Sequence, residues 1–247
     1  MKTKEDTFKN ELEIFRSEVE SVIHSFYAFT TLNRMLNENK ALLKIVNQTP
    51  RFWITTISAL QTSFFIALGR IFGQGHNHNI DKILSISQQH IEIFSKEAYR
   101  ARLSAGGTLT EEQLQDIIKD SYSPTVDDFR RLKKYVNQYR KVYFKKYHDI
   151  RNKVHAHKEL STREDIQALY EQTSFKELEK MLIFLNKIHS VLWQSFNNGI
   201  KPMLRPMRYS TGSMIKEGTP LGQSRHAQER IVEDTKKFME SLLSLAK

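Results

Sequence analysis

The sequence predicts an all-α protein. Apolar residues recur every three or four positions through most of the 247-residue chain, the spacing that gives a helix one continuous apolar face. Asn, Thr and Ser, which cap helix starts, precede several of these segments, and glycine or proline separates them. No stretch shows the apolar–polar alternation of a convincing strand.

The first half of the chain contains two long predicted helices. An apolar stripe runs from Phe8 to Leu36. After a break, it resumes at Leu42. Pro50 suits the first turn of the next helix. The uncharged segment 52–69 approaches the length of a bilayer span, but polar side chains interrupt it, so we expect a mostly buried core helix and no membrane.

Capping residues mark the starts of the later helices. Asn79 is expected to cap an interrupted helix that ends near Leu103, and Thr110 the next one. Thr125 opens a helix that we expect to continue to Val154, with apolar residues on one face and Lys and Arg on the rest. Another long helix is predicted over 175–196.

Composition changes at Gly199. Residues 199–222 hold four of the nine glycines and three of the five prolines, which predicts a loop. We therefore expect a helical domain over 1–198 and a loop-rich extension over 199–247. The extension should end in an amphipathic helix whose apolar positions are Ala227, Ile231, Phe238, Leu242 and Leu245.

Basic residues are concentrated in one region. Twelve Lys and Arg lie between Arg130 and Arg163 against two acidic residues, and the rest of the chain balances 26 basic residues with 26 acidic ones. Such a block is often only a solvated helix face, but it also suits the binding of a polyanion such as RNA.

Several classes of site and location are disfavoured. The chain has no cysteine, which excludes disulfides and thiolate metal sites. Neither a P-loop nor a dinucleotide fingerprint occurs, and His76 and His78 lack companions at metal-ligand spacing. We expect no metal and no cofactor. The first residues lack the apolar core of a signal peptide, which predicts a cytoplasmic protein.

The most informative stretch begins at Arg151 and ends at His157. Histidine suits proton transfer because its ordinary pKa of ~6.5 is near neutrality. Arginine binds phosphate through two parallel N–H hydrogen bonds, and Asn152 can hold a phosphate or ribose oxygen. A continuous helix would place His155 one turn after Arg151, whereas His157 requires the helix to end or turn. Spacing leaves both histidines open.

These residues resemble the motif of the HEPN superfamily of helical ribonucleases, in which arginine and a polar residue precede a histidine by a few positions. The stretch Arg-Asn-Lys-Val-His-Ala-His resembles the AbiU abortive-infection branch more narrowly. That branch has an upstream apolar helix that ends like Ala67–Phe72 here. The resemblance implies that Arg151, Asn152 and His157 are catalytic, since His155 lies one residue too close to Arg151 for the motif. His155 is a candidate auxiliary residue.

The resemblance also implies a function and partners. It implies a metal-independent endoribonuclease, related to toxins or phage defence, that acts as a homodimer with two motifs facing one cleft. An antitoxin or another defence-system protein is a further expected partner. Some relatives carry a tyrosine, modified by their antitoxin, two residues after the histidine. Glu159 stands there in this chain, which does not support that control.

Neighbouring residues are expected to contact the RNA. Tyr147 and His148 are candidates for substrate contact because they lie closest to the motif in sequence. The expected phosphate-binding residues are Lys145, Lys146, Lys153 and Lys158. The alternative function is a non-catalytic helical module that binds RNA or another protein.

Overall fold

The structure is a computed structural model that describes residues 2–75, 77–157, 159, 162–204 and 227–245. These residues form helices and connecting segments without a strand, which confirms the all-α prediction. The α-helices are α1 (Lys4–Glu38), α2 (Lys40–Val46), α3 (Pro50–Phe72), α4 (Ile80–Gln89), α5 (Lys96–Ala105), α6 (Glu111–Asp120), α7 (Val126–Lys146), α8 (Arg163–Glu171), α9 (Phe175–Asn198) and α10 (Ala227–Leu245). A 3₁₀ turn (Ile91–Phe94) follows α4, and a π-helix (Ile150–Ala156) follows α7.

Local capping chemistry explains where these helices begin. Pro50 is the first residue of α3. The side chain of Asn79 accepts a hydrogen bond from the Lys82 amide at 2.9 Å. Thr110 forms a reciprocal capping box with Gln113 at the start of α6. These bonds satisfy amides that the first helical turn leaves without an intrahelical partner.

The described residues fall into two compact units. The first lies within Met1–Ser17, Arg70–Lys145 and Ile183–Pro206. Its core includes the rings of Phe8, Phe94 and Phe196, whose centroids are 4.9 to 5.8 Å apart. The apolar side of α7 joins this core through Phe129, whose ring lies 5.0 Å from that of Phe94. The basic side of α7 is consequently left at the surface.

The second unit lies within Glu18–Gly69, Lys146–Leu182 and Met207–Lys247. Aromatic residues of α1 and α3 pack together, with the rings of Phe26 and Phe64 5.7 Å apart. A further buried cluster joins α1, α2, α3 and α10 and consists of Leu32, Leu36, Leu42, Val46, Trp53 and Met239. This unit holds the segment from Arg151 to His157.

The prediction that α3 is mostly buried is wrong for its first half. Phe52 and Ile54 are 62% and 65% exposed, whereas burial is extensive from Phe64 to Phe72. Among the described residues, α3 alone is long and apolar enough to cross a membrane, and 33% of its most apolar stretch is buried. A core helix of a soluble protein meets the same criterion, so this is weak evidence for a membrane span.

The prediction of an amphipathic last helix is right in type, but its fully buried positions are not the apolar positions that the spacing marks. Phe238 is 53% exposed, and the buried positions are Gln228, Val232, Thr235 and Met239. Ala227, Ile231 and Leu242 are half-buried beside it, and Leu242 packs against the cluster that contains Met239. Because the buried face includes two polar residues, hydrophobic spacing alone does not locate it. The loop expected over 199–222 falls mainly on 205–226, which lies outside the described residues; the division at residue 198 stays a prediction.

Candidate active site

The stretch from Arg151 to His157 lies mainly in the π-helix rather than in a continuation of α7. The α-helix ends at Lys146, and the wider helix covers Ile150–Ala156. The amide of His157 donates to the carbonyl of Asn152 at 2.8 Å, a bond that spans five residues rather than four. The wider turn therefore places Asn152 and His157 at the two ends of one hydrogen-bonded turn.

A chain of side-chain hydrogen bonds joins Arg151 to His148. Arg151 Nη1 donates to Asn152 Oδ1 at 2.6 Å. Asn152 Nδ2 lies 2.9 Å from His148 Nε2, and because an amide nitrogen can only donate, this ring nitrogen is the acceptor. His148 Nδ1 lies 3.4 Å from the Asp149 carboxylate. The amide of Asn152 thus links the arginine to a histidine through both of its polar atoms.

The side chain of Arg151 lies directly against the backbone of α3 at Gly69. A Cβ atom at position 69 would be 2.7 Å from Arg151 Nε and 3.1 Å from both Cγ and Cδ. Arg151 Nε is buried and has no hydrogen-bond partner within the described part of the chain. Only glycine permits this approach without moving one of the two groups.

His155 is held between α3 and α8. Its Nδ1 lies 2.9 Å from Thr62 Oγ1, and its Nε2 lies 2.8 Å from the hydroxyl of Tyr170. The imidazole stacks on Phe65 with centroids 4.9 Å apart. Burial lowers the pKa of His155 to about 4, so the ring is neutral near pH 7. Both ring nitrogens already have partners inside the protein.

His157 is in a different setting. Its side chain is exposed at the end of the π-helix. Among residues 2–75, 77–157, 159, 162–204 and 227–245, the ring has no hydrogen bond or ion pair. The two histidines that sequence spacing could not separate therefore differ in access. A molecule arriving from solution can reach the ring of His157, whereas protein groups engage both nitrogens of His155.

Two of the expected phosphate-binding lysines already form ion pairs. Lys153 Nζ lies 2.9 Å from Asp149, and this hydrogen bond raises the pKa of Lys153 and lowers the pKa of Asp149. Lys146 Nζ lies 2.9 Å from Glu177. Lys158 lies outside the described residues. Lys145 is exposed, and it forms no ion pair within the described ranges.

The expectation that Tyr147 contacts substrate is wrong. Its side chain is fully buried, and its hydroxyl donates to Glu177 at 2.7 Å. Burial, with the neighbouring carboxylate, raises the pKa of Tyr147. The apolar periodicity of α7 extends to this residue, so it packs as a core side chain despite its nearness to the motif in sequence.

Other lysines form an exposed row on α7 in the first unit. Lys134, Lys141 and Lys145 are exposed, and their spacing of seven and four residues keeps them on one face. At a helical rise of ~1.5 Å per residue they follow one another at about 10 and 6 Å along the axis. None forms an ion pair with another described residue. Tyr135 and Phe144, 47% and 41% exposed, flank the row.

Sequence reasoning did not select Gly69, Thr62, Phe65 or Tyr170 as parts of this site. The available signal was a glycine inside an apolar helix, which costs helix stability and so suggests a packing requirement. This signal did not show that the residue packed against Gly69 is Arg151. Thr62 and Tyr170 are ordinary polar residues of amphipathic helices and carried no signal.

Comparisons with known proteins identify the family. The family model described as HEPN_AbiU2, AbiU2, matches residues 5–212, which is most of the chain. No curated protein and no solved structure matches the chain significantly. The matched range includes the motif, the glycine that accommodates its arginine and the helices that hold both. The chain therefore belongs to the AbiU2 family of HEPN proteins.

Proposed function

We propose that the protein is a metal-independent endoribonuclease whose catalytic residues are Arg151, Asn152 and His157. The observation that carries this proposal is the exposed imidazole of His157, which lies one hydrogen-bonded turn from the Arg151–Asn152 pair. Membership of the HEPN superfamily supports it, since HEPN domains are often ribonucleases.

The proposed chemistry is internal transesterification of RNA. The ribose 2′-oxygen attacks the adjacent phosphorus, and the bond from phosphorus to the 5′-oxygen of the next nucleotide breaks. A base removes the 2′-hydroxyl proton, and an acid protonates the departing 5′-oxygen. The products are a 2′,3′-cyclic phosphate and a 5′-hydroxyl. DNA is spared because it lacks the attacking hydroxyl.

Each motif residue has a role in this scheme. His157 transfers one of the two protons, and Arg151 stabilises the extra negative charge on the phosphorus centre. Asn152 orients a phosphate or ribose oxygen while its hydrogen bonds hold Arg151 and His148. His148 is an auxiliary group, and His155 supports the segment from the protein side.

The second proton transfer requires another group, and we propose that a second copy of the chain supplies it. In a homodimer with a twofold axis beside the motif, the partner's His157 would complete the acid–base pair. Lysines 145, 146, 153 and 158 would bind neighbouring phosphates. The proposed setting is a cytoplasmic toxin or phage-defence system, with an antitoxin or defence-system partner.

A second candidate function is RNA binding without cleavage. The exposed row of Lys134, Lys141 and Lys145 favours it, since these cations would attract a polyanion whether or not the motif is catalytic. A protein of this kind would retain its activity after loss of His157.

RNA digestion in EDTA separates these candidates. We expect wild type to cleave RNA, and His157→Ala and Arg151→Ala to be slower by ~10²–10⁴-fold while folded. His155→Ala, assayed at a temperature at which it is fully folded, should retain most activity because that ring faces protein groups. A folded His157→Ala variant as fast as wild type would disprove the assignment. Loss of all cleavage in EDTA that returns with a divalent metal would disprove the metal-independent mechanism.

A further inference from the structure

The atoms that lie against Gly69 of α3 belong to the side chain of Arg151, and helix packing alone does not explain this. If Gly69 served only to bring two backbones together, an added Cβ would meet backbone or apolar side-chain atoms. Instead, the three nearest atoms all belong to the Arg151 side chain: Nε at 2.7 Å, with Cγ and Cδ at 3.1 Å. The space that glycine leaves on α3 is filled by this arginine.

That space fixes the inner part of the Arg151 side chain. Its Nε is buried without a partner in the described chain, while its Nη1 donates to Asn152 at 2.6 Å. Leaving a polar atom of a charged group buried and unpaired costs free energy. Outward rotation would expose this nitrogen to water, but it would also break the bond that links Arg151 to Asn152.

We propose that Gly69 is a positioning residue for Arg151. It leaves a notch in α3 that directs the guanidinium toward Asn152, which in turn contacts His148. This inference rests on the proposed role of Arg151 in cleavage, since only then does the direction of the guanidinium set the reaction rate. Gly69 itself touches no substrate.

The Gly69→Ala variant tests the proposal because its effects on stability and activity should have opposite signs. Alanine stabilises a helix interior relative to glycine, so the Tm should stay level or rise by about 1–4 °C. The added methyl group must displace Arg151, and a shift of about 1 Å at a catalytic group can slow a reaction up to ~10²-fold. We expect a kcat at least ~10-fold lower with KM changed by less than about twofold.

The matched control is Gly75→Ala, because a Cβ at position 75 meets nothing within 4 Å. A double-mutant cycle adds a stricter requirement. In the Arg151→Ala background, Gly69→Ala should cause no further loss of cleavage, since the arginine it displaces is gone. Equal losses in both backgrounds would overturn the proposal, as would a Gly69→Ala variant that is as active as the control. A variant that unfolds would show a packing role and would overturn it too.

A spectroscopic measurement separates this inference from the ribonuclease proposal. The buried Nε–H of Arg151 should give a slowly exchanging signal in a ¹⁵N NMR spectrum, assigned by its loss in Arg151→Lys. We expect Gly69→Ala to abolish or strongly shift that signal and Gly75→Ala to leave it in place. If the signal is unchanged in Gly69→Ala, the inference fails even when wild type cleaves RNA. If wild type cleaves no RNA and the signal behaves as expected, the ribonuclease proposal fails and the positioning of Arg151 stands.

Discussion

At the residue scale, two histidines separated by one position have different environments. His155 is stacked on Phe65 and bonded at both nitrogens, and His157 is exposed. Their spacing in sequence places the two rings on different sides of a helix but does not show which one is buried. The difference arises because α3 and α8 present a threonine, a phenylalanine and a tyrosine to the first ring and nothing comparable to the second.

The low pKa of His155 predicts a pH-dependent stability. Between pH 6.5 and about 4 the unfolded chain binds a proton at this residue that the folded chain does not. The contribution of His155 is therefore fully present above pH 6.5 and is lost as the pH falls to about 4. The shift corresponds to at most ~3 kcal/mol, which partial solvent contact reduces to about 1–2 kcal/mol.

Denaturant unfolding of wild type and His155→Gln from pH 4 to 8 measures this contribution. Glutamine can hydrogen-bond but does not titrate in this range, so the difference between the two unfolding free energies should shrink or reverse toward pH 4. Two parallel curves over the whole range would contradict the prediction.

At the element scale, the π-helix and α7 show how far local pattern determines structure. The apolar periodicity that predicts α7 also predicts its continuation to Val154, but α7 ends at Lys146 and a π-helix covers Ile150–Ala156. The wider turn lets the His157 amide bond to Asn152 while His155 remains engaged with Thr62.

The exposed lysine row of α7 gives a second prediction. Replacing Lys134, Lys141 and Lys145 with glutamine should weaken binding of single-stranded RNA and reduce the slope of log K against log salt by ~2, since each phosphate contact contributes ~0.7. Binding is measured in the His157→Ala background so that cleavage does not interfere.

A second triple variant controls for net charge. Lys40, Lys44 and Lys82 are also exposed, lie away from α7 in sequence and form no ion pair with another described residue. Their replacement by glutamine should change the slope by less than half as much. Equal slopes for the two triple variants would show that the row on α7 contributes only to net charge.

At the scale of the whole molecule, the motif of one chain supplies one accessible histidine, and cleavage requires two proton transfers. The proposed homodimer predicts that cleavage per molecule falls with dilution, in step with the dissociation seen by sedimentation velocity. A monomer that retains full specific activity would contradict the shared site. If the chain dimerises but mutations of surface residues beside the motif leave the cleavage rate unchanged, the dimer interface lies elsewhere.

Much of the fold follows from local properties of the sequence. The type, order and starting points of the helices were predicted because they depend on local effects. Apolar periodicity is a property of one segment, and Pro50, Asn79 and Thr110 influence only the helix turn that follows them. The motif was recognised for the same reason, since its residues lie within seven positions.

Tertiary structure decided which side chains have access to solvent and which have partners. The contact of Thr62 with His155 joins residues 93 positions apart, and the contact of Gly69 with Arg151 depends on how α3 meets the π-helix. The same dependence buried Tyr147, exposed the first half of α3 and set which residues of α10 are buried. Burial is a property of all the elements that pack around a residue, and a periodic pattern describes only the element that carries it.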